Sequence, residues 1–293
     1  MNSVLGDRKA VVILLGPALL IYSLIVLVPV LWSFGYTFFK GEPLGGFTFN
    51  GVQNFQHLLS DPDVGAAFVF TLKYALLMTV LQVGLGYGLS LLYHFVLKKS
   101  SALIRTLVFF PVVLPTVAVA ILYQKLFQSA PRSGLVNELL INVGLGQVDW
   151  LGQGTTAFVV IVIMDVWRSM GFYGVLIFAG LLDIPEDIIE SSRLDGATGW
   201  SLFRHIILPL SRPILFTSII FSINGTIKVF DSIYALTLGG PGSQTTPLTL
   251  YMYNTAFAYN NYGYGSTIAL LLTIMCLIVT IFIFRSSRRD ITA

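Results

Sequence analysis

The sequence predicts an all-α integral membrane protein with six transmembrane helices and both termini in the cytoplasm. Three observations carry this. First, 55% of the 293 residues are hydrophobic and only 11% are charged, against about 25% charged in an ordinary soluble domain. Mean hydropathy is +0.82. Such a chain cannot cover a globule with polar side chains, which excludes a soluble enzyme. Second, six stretches meet the length of about 20 apolar residues that a helix needs to cross a bilayer: 10–39, 67–97, 103–127, 156–182, 206–234 and 263–284. Third, the basic residues alternate by linker. Arg8 and Lys9 precede span 1, Lys98, Lys99 and Arg105 lie around the second linker, Arg193 and Arg204 in the fourth, and Arg285, Arg288 and Arg289 after span 6. The opposite linkers are poor in Lys and Arg, and 235–262 has no charged residue. The positive-inside rule then places both ends in the cytoplasm, and an even number of spans returns the chain to that side.

Each span has its own character. Span 1 stays apolar far beyond a signal-peptide core and lacks a small-residue cleavage site, so it reads as a retained helix after a cytoplasmic segment 1–9. Residues 10–293 then form a single transmembrane domain. Span 2 carries Gly84 and Gly88 at the small-xxx-small spacing that lets helices approach. Span 3 carries Pro111 and Pro115, which predict a kink. Span 4 holds Asp165 and Arg168, and span 5 has Pro209 and Pro213 in its first turns and Lys228 and Asp231 further on. The 22 Phe, 13 Tyr and 4 Trp suit lipid contact with interfacial aromatics. Cys276 is the one cysteine, so no intrachain disulfide forms. With His57, His94 and His205 scattered, no metal site is expected. A formal charge of +3 is too small for a nucleic-acid footprint. The two halves show no inverted repeat, which disfavours several secondary-transporter folds.

The linker 183–205 is the most charged part of the chain. Pro185, Glu186 and Asp187 suit a helix start, Ile188, Ile189 and Ser192 follow at helical spacing, and Asp195-Gly196 is a turn signal. A second short helix, about 198–204, leads into Ile206-Ile207-Leu208-Pro209. The result is a compact helix–turn–helix elbow on the cytoplasmic face, suited to being gripped by another protein.

Glu190-Ser191-Ser192-Arg193-Leu194-Asp195-Gly196-Ala197, followed by Phe203, Ile206, Leu208 and Pro209, resembles the EAA loop of ABC importer permeases. Two alanines of that pattern are replaced by Ser191 and Ser192, which are also small. Ala179-Gly180-Leu181, Val229-Phe230-Asp231 and Leu236-Thr237-Leu238-Gly239-Gly240-Pro241-Gly242 are similar to the carbohydrate-uptake branch, the permeases for oligosaccharides and glycerol-3-phosphate. The resemblance implies a type I importer permease fold in the cytoplasmic membrane of a prokaryote. It also implies a second, different permease subunit, two copies of a cytoplasmic ATPase and an extracytoplasmic solute-binding protein. Glu190, Ser191, Ser192, Asp195, Gly196 and Ala197 would form the ATPase-coupling elbow, and the linker 235–262 would lie outside, near the binding protein. No Gly-x-x-x-x-Gly-Lys-[Ser/Thr] loop occurs here, so ATP and magnesium are expected on the partner.

Charges inside spans are expensive and mark pathways or internal pairs. Asp165, Arg168, Ser169 and Phe172 fall at i, i+3, i+4 and i+7, on one helix face. Ser218, Ser222 and Thr226 form a hydroxyl stripe on span 5, and Asn224, Lys228 and Asp231 a second polar stripe. Carbohydrate recognition needs convergent hydrogen-bond groups and an aromatic face. Asp165, Arg168, Ser169 and Phe172 supply such a set. The resemblance places Asp165, Ser169, Phe172, Ser222 and Thr226 at the sugar cavity. Two bland readings stand beside this: both charge pairs neutralise themselves within the bundle, and the hydroxyls bond their own backbone. A mono- to oligosaccharide is the preferred solute, glycerol-3-phosphate the alternative. A stand-alone transporter or channel, and an assembly subunit that transports nothing, are the readings of another class.

Overall fold

The computed structural model describes residues 8–97 and 100–291. Expectations placed on residues 1–7, Lys98 and Lys99, and on the side chains of Arg8, Arg288 and Arg289, lie outside the described residues. The chain divides into two compact units: residues up to Pro62 with Met252–Leu271, and Asp63–Tyr251 with the residues from Leu272 onward.

In the first unit, α1 (Arg8–Tyr22) runs through a π turn, Ser23–Leu27, into α2 (Val28–Tyr36). The apolar stretch Val12–Tyr36 buries nothing within the chain. An antiparallel hairpin follows, β1 (Phe39–Glu42) and β2 (Gly46–Phe49), with Phe39 opposite Phe49. Sequence periodicity carries span 1 to residue 39 and does not reveal this hairpin. Its turn depends on Gly41 at φ +130° and Gly46 at φ +87°, a region that L side chains avoid. In α3 (Gln53–Ser60), Asn54 donates to the carbonyls of Thr37 at 2.8 Å and Phe39 at 2.9 Å, tying the hairpin to the helix end.

The second unit opens with α4 (Pro62–Leu91), which continues as a π turn to Leu97 and makes a 36-residue span. Next come α5 (Ser101–Val113), α6 (Thr116–Leu126), α7 (Leu135–Asn142) and α8 (Gly154–Leu182). The elbow holds α9 (Glu186–Leu194), α10 (Gly199–Leu202), a π turn at Phe203–Ile207 and α11 (Leu208–Leu210). The chain goes on through α12 (Arg212–Ile227), α13 (Asp231–Thr237), α14 (Leu248–Tyr253) and α15 (Tyr262–Ile291).

Among the described residues, four helices are long and apolar enough to cross a membrane as they stand, and two bent pairs raise this to six if each is one span. α5 and α6 meet at 93°. The cause is Pro115, which lacks an N–H and forces Leu114 into extended backbone (φ −70°, ψ 139°). The chain turns by 68° where α11 meets α12, between Pro209 and Pro213.

One expectation needs correction, and a second is extended. Span 5 does not run to residue 234: its helix ends at Ile227, with Lys228 as cap, and Asp231 opens a new helix. Lys228 and Asp231 are therefore not an i, i+3 helical pair, and no ion pair joins them among the described residues. Residues 235–262 are also more than an external loop. The glycine turn forms, but the chain then re-enters the protein: Thr245, Leu248 and Leu250 are buried, and the Leu248 amide donates to Thr71 Oγ1 at 2.9 Å. With no charge to signal depth, this polar-looking segment reads as exposed from sequence alone.

Two buried clusters hold the second unit. One gathers Tyr74, Met78, Val160, Ile161, Met164, Ile233 and Leu250; the other joins Val83, Tyr87, Tyr173, Ile177 and Leu181 to Ile189, Leu202 and Ile207 of the elbow. The close approach of α4 to α8 falls at Gly86, where an added Cβ would lie 2.6 Å from Tyr173 Cβ. At Gly84 and Gly88 an added Cβ meets nothing within 4 Å, so packing inside this chain does not explain that pair. Gly86→Val should accordingly lower stability by about 1–3 kcal/mol through overpacking, while Gly84→Ala should leave it unchanged or raise it slightly. Thermal melting of the two purified variants separates these outcomes.

Candidate functional site

α4, α8, α12 and the Lys228–Ser232 crossing enclose a cavity of about 340 Å³. All six sequence-selected residues, Asp165, Arg168, Ser169, Phe172, Ser222 and Thr226, line it. Asp165 is its centre, 4% exposed. Its Oδ2 accepts hydrogen bonds from Tyr74 OH at 2.6 Å and Ser232 Oγ at 2.8 Å, so one carboxylate ties three helices together. Its Oδ1 stands 3.8 Å from Arg168 Nε. Both atoms are buried without a hydrogen-bond partner. The two face each other as an i, i+3 ion pair that is too long for a hydrogen bond; buried polar atoms are nearly always satisfied, so this pair keeps unused hydrogen-bonding capacity in the cavity wall.

The hydroxyls are less free. Ser169 Oγ donates to its own Asp165 carbonyl at 2.6 Å, Ser222 Oγ to Thr79 Oγ1 at 3.0 Å, and Thr226 Oγ1 to the Ser222 carbonyl at 2.8 Å. Their remaining capacity towards a solute is as acceptors. Phe172, 37% exposed, meets Tyr173 edge-on at 5.2 Å and leaves ring surface towards the cavity. The second polar stripe does not converge here. Asn224 turns to Thr280 Oγ1 at 3.1 Å on α15, whereas Lys228, which caps α12, and Asp231, which opens α13, line the cavity.

Several lining residues escape sequence pattern. Tyr74, Gln82 and Ser232 carry no charge and stand out by no spacing of their own. The signal that points to them is the buried carboxylate of Asp165, which demands donors from other helices. Lys73 is a further charge within span 2, with Nζ 4.6 Å above the Phe158 ring.

At the other end of α4 and α8, the elbow exposes a different set. Glu186 and Asp187 lie in the first turn of α9 and Arg193 in the last, as the helix dipole favours. The helix stops at Gly196, φ +87°; its amide donates to the Arg193 carbonyl at 3.1 Å and the Ala197 amide to the Ser192 carbonyl at 2.9 Å. This paired closure, with glycine in the left-handed region, satisfies the last helix carbonyls. Glu190, Ser191, Asp195 and Gly196 are exposed, and Ala197 is half-buried. Ser192 turns inward, bonded to the Ile188 carbonyl at 2.6 Å. Leu194 and Trp200 project into open surroundings at 89% and 69% exposure.

A bundle of membrane helices with a polar cavity inside it and a rigid exposed elbow between two spans is the build of a transport permease. Residues 82–290 match the family described as binding-protein-dependent transport system inner membrane component, and the chain belongs to it. It is 31% identical over 288 residues to the trehalose/maltose transport system permease protein MalF of Thermococcus litoralis, covering 96% of this chain and 95% of that one. It is 32% identical over 275 residues to the probable ABC transporter permease protein YurN of Bacillus subtilis, covering 91% and 92%. A bacterial ABC transporter involved in the import of the acidic polysaccharide alginate has the same fold, with a TM-score of 0.84 at 22% identity over 94% of each chain. The type I importer permease fold and the place in the inner membrane follow from these matches.

Proposed function

We propose that this chain is the permease subunit of an ATP-driven importer that carries a mono- to oligosaccharide into the cytoplasm by alternating access. The observation that carries the solute class is the cavity wall itself: the Asp165–Arg168 ion pair, whose facing atoms make no hydrogen bond, with the ring of Phe172 beside it. A sugar offers adjacent hydroxyls, which donate and accept at once, and an apolar ring face for the aromatic. The charged lining residues are two acids, Asp165 and Asp231, and two bases, Arg168 and Lys228, a balance that suits a neutral solute better than a phosphate ester. The trehalose/maltose permease and the lactose transport system permease protein LacF of Rhizobium radiobacter, 28% identical over 278 residues, support the same class.

In this reading the chain pairs with a second permease and two ATPase subunits, which hold ATP and magnesium. The elbow sits in the ATPase surface through Glu190, Ser191, Asp195, Gly196 and Ala197, with Ser192 packing beneath them. A solute-binding protein delivers the sugar from outside. Closure of the ATPases shifts the elbow, and the helix bundle exchanges two arrangements around the cavity.

Proteoliposomes holding the assembled transporter test this. Labelled oligosaccharide should accumulate only with ATP on the ATPase side and loaded binding protein on the other. Uptake driven by an ion gradient without ATP would overturn it.

A further inference from the structure

A second cavity, of about 610 Å³, lies at the far end of α4, between that helix and the elbow. Its walls are apolar on both sides: Gly88, Phe95 and Val96 from the span, Trp200 and Phe203 from the elbow. Arg193 is the one charged residue in its lining among the described residues. This arginine is exposed and takes part in no ion pair among the described residues. The Trp200 indole leans on Phe203 at 5.0 Å between ring centres, and Phe203 on Tyr87 at 5.8 Å. Gly88 keeps the groove open, since a Cβ there would meet nothing within 4 Å.

The place matters as much as the lining. The groove opens where a membrane span meets the elbow, on the side that the basic linkers assign to the cytoplasm. At the cytoplasmic end of a span the surroundings in general change from acyl chains to headgroups. Tryptophan settles at that level, and basic pockets between helices on the cytoplasmic side take anionic headgroups. Guanidinium also binds phosphate through two parallel N–H bonds.

We propose that this groove binds one anionic phospholipid of the cytoplasmic leaflet. An acyl chain lies along Gly88–Val96 and the phosphate sits on Arg193. The lipid bridges the end of α4 and the elbow, filling space that the two protein walls leave unfilled.

The test uses the full chain in its assembled transporter, reconstituted in vesicles of phosphatidylcholine alone or mixed with phosphatidylglycerol, then extracted and washed in mild detergent. Mass spectrometry reads the phospholipid retained per complex. Wild type should keep phosphatidylglycerol in preference to phosphatidylcholine. Arg193→Gln should lower retention about tenfold, and Arg193→Lys should restore part of it. Gly88→Leu, whose side chain grows into the groove, should lower retention of both lipids. Equal retention of the two lipids by wild type overturns the proposal, as does unchanged retention in Arg193→Gln and Gly88→Leu. If Gly88→Leu instead releases the second permease and leaves lipid unchanged, the groove belongs to a partner helix and the lipid assignment fails.

Discussion

Asp165→Leu is expected to abolish uptake and to destabilise the bundle, while Asp165→Asn should retain the fold and still transport poorly. The two substitutions separate the two oxygens. Leucine removes the acceptor shared by Tyr74 OH and Ser232 Oγ, and each buried donor left unmade costs about 1–3 kcal/mol. A combined loss of about 2–6 kcal/mol should appear as a clear drop in melting temperature. Asparagine keeps one carbonyl oxygen for those donors but removes the charge facing Arg168 at 3.8 Å. It also presents an amide donor where the carboxylate oxygen facing Arg168 stood. Initial uptake at low solute should fall by about ten- to a hundredfold, the weight of one or two hydrogen bonds to a charged group. Wild-type uptake by the asparagine variant would rule out the carboxylate as a solute contact.

The second large effect is expected at the elbow. Gly196→Pro cannot adopt φ +87° and deletes the amide that closes α9 on the Arg193 carbonyl. Gly196→Val keeps the amide but places a β-branched residue in the left-handed region. Both should detach the ATPase and stop ATP-dependent uptake, with proline the more severe. Glu190→Lys should act in the same direction without disturbing the turn, because the side chain is exposed. Co-purification of the ATPase and solute-stimulated ATP hydrolysis are the measurements. Full hydrolysis coupled to uptake in Gly196→Pro would remove the elbow from the coupling path.

What the sequence makes legible follows from which forces are local. Span positions depend on length and apolarity, and the elbow on turn chemistry at Asp195-Gly196, so both can be read residue by residue. Asp165, Arg168, Ser169 and Phe172 share a face through helix geometry alone. Tyr74 and Ser232 lie 91 and 67 positions from Asp165, and no periodicity links them. The early end of span 5 escapes because Val229 and Phe230 are apolar, so composition continues where the helix does not. The return of residues 245–250 into the interior escapes for the opposite reason: three threonines among them suggest water, yet Thr249 Oγ1 bonds the Val229 carbonyl and Thr246 Oγ1 that of Gly239. The glycine pair in span 2 does not mark the crossing with α8, since Gly86 between them makes that contact.

That contact has a mechanical consequence. The span from Pro62 to Leu97 is one 36-residue rod, about 54 Å long, and its tightest crossing with α8 is at Gly86. Tyr74, the donor to Asp165, is twelve residues to one side, about 18 Å along the axis. Phe95, facing the elbow, is nine residues to the other, about 13 Å away. A rod pinned about two-thirds of the way along is a seesaw with unequal arms: a small tilt that draws its short cytoplasmic arm towards the elbow swings its longer outer arm the opposite way. The missing side chain at residue 86 would then serve as a bearing.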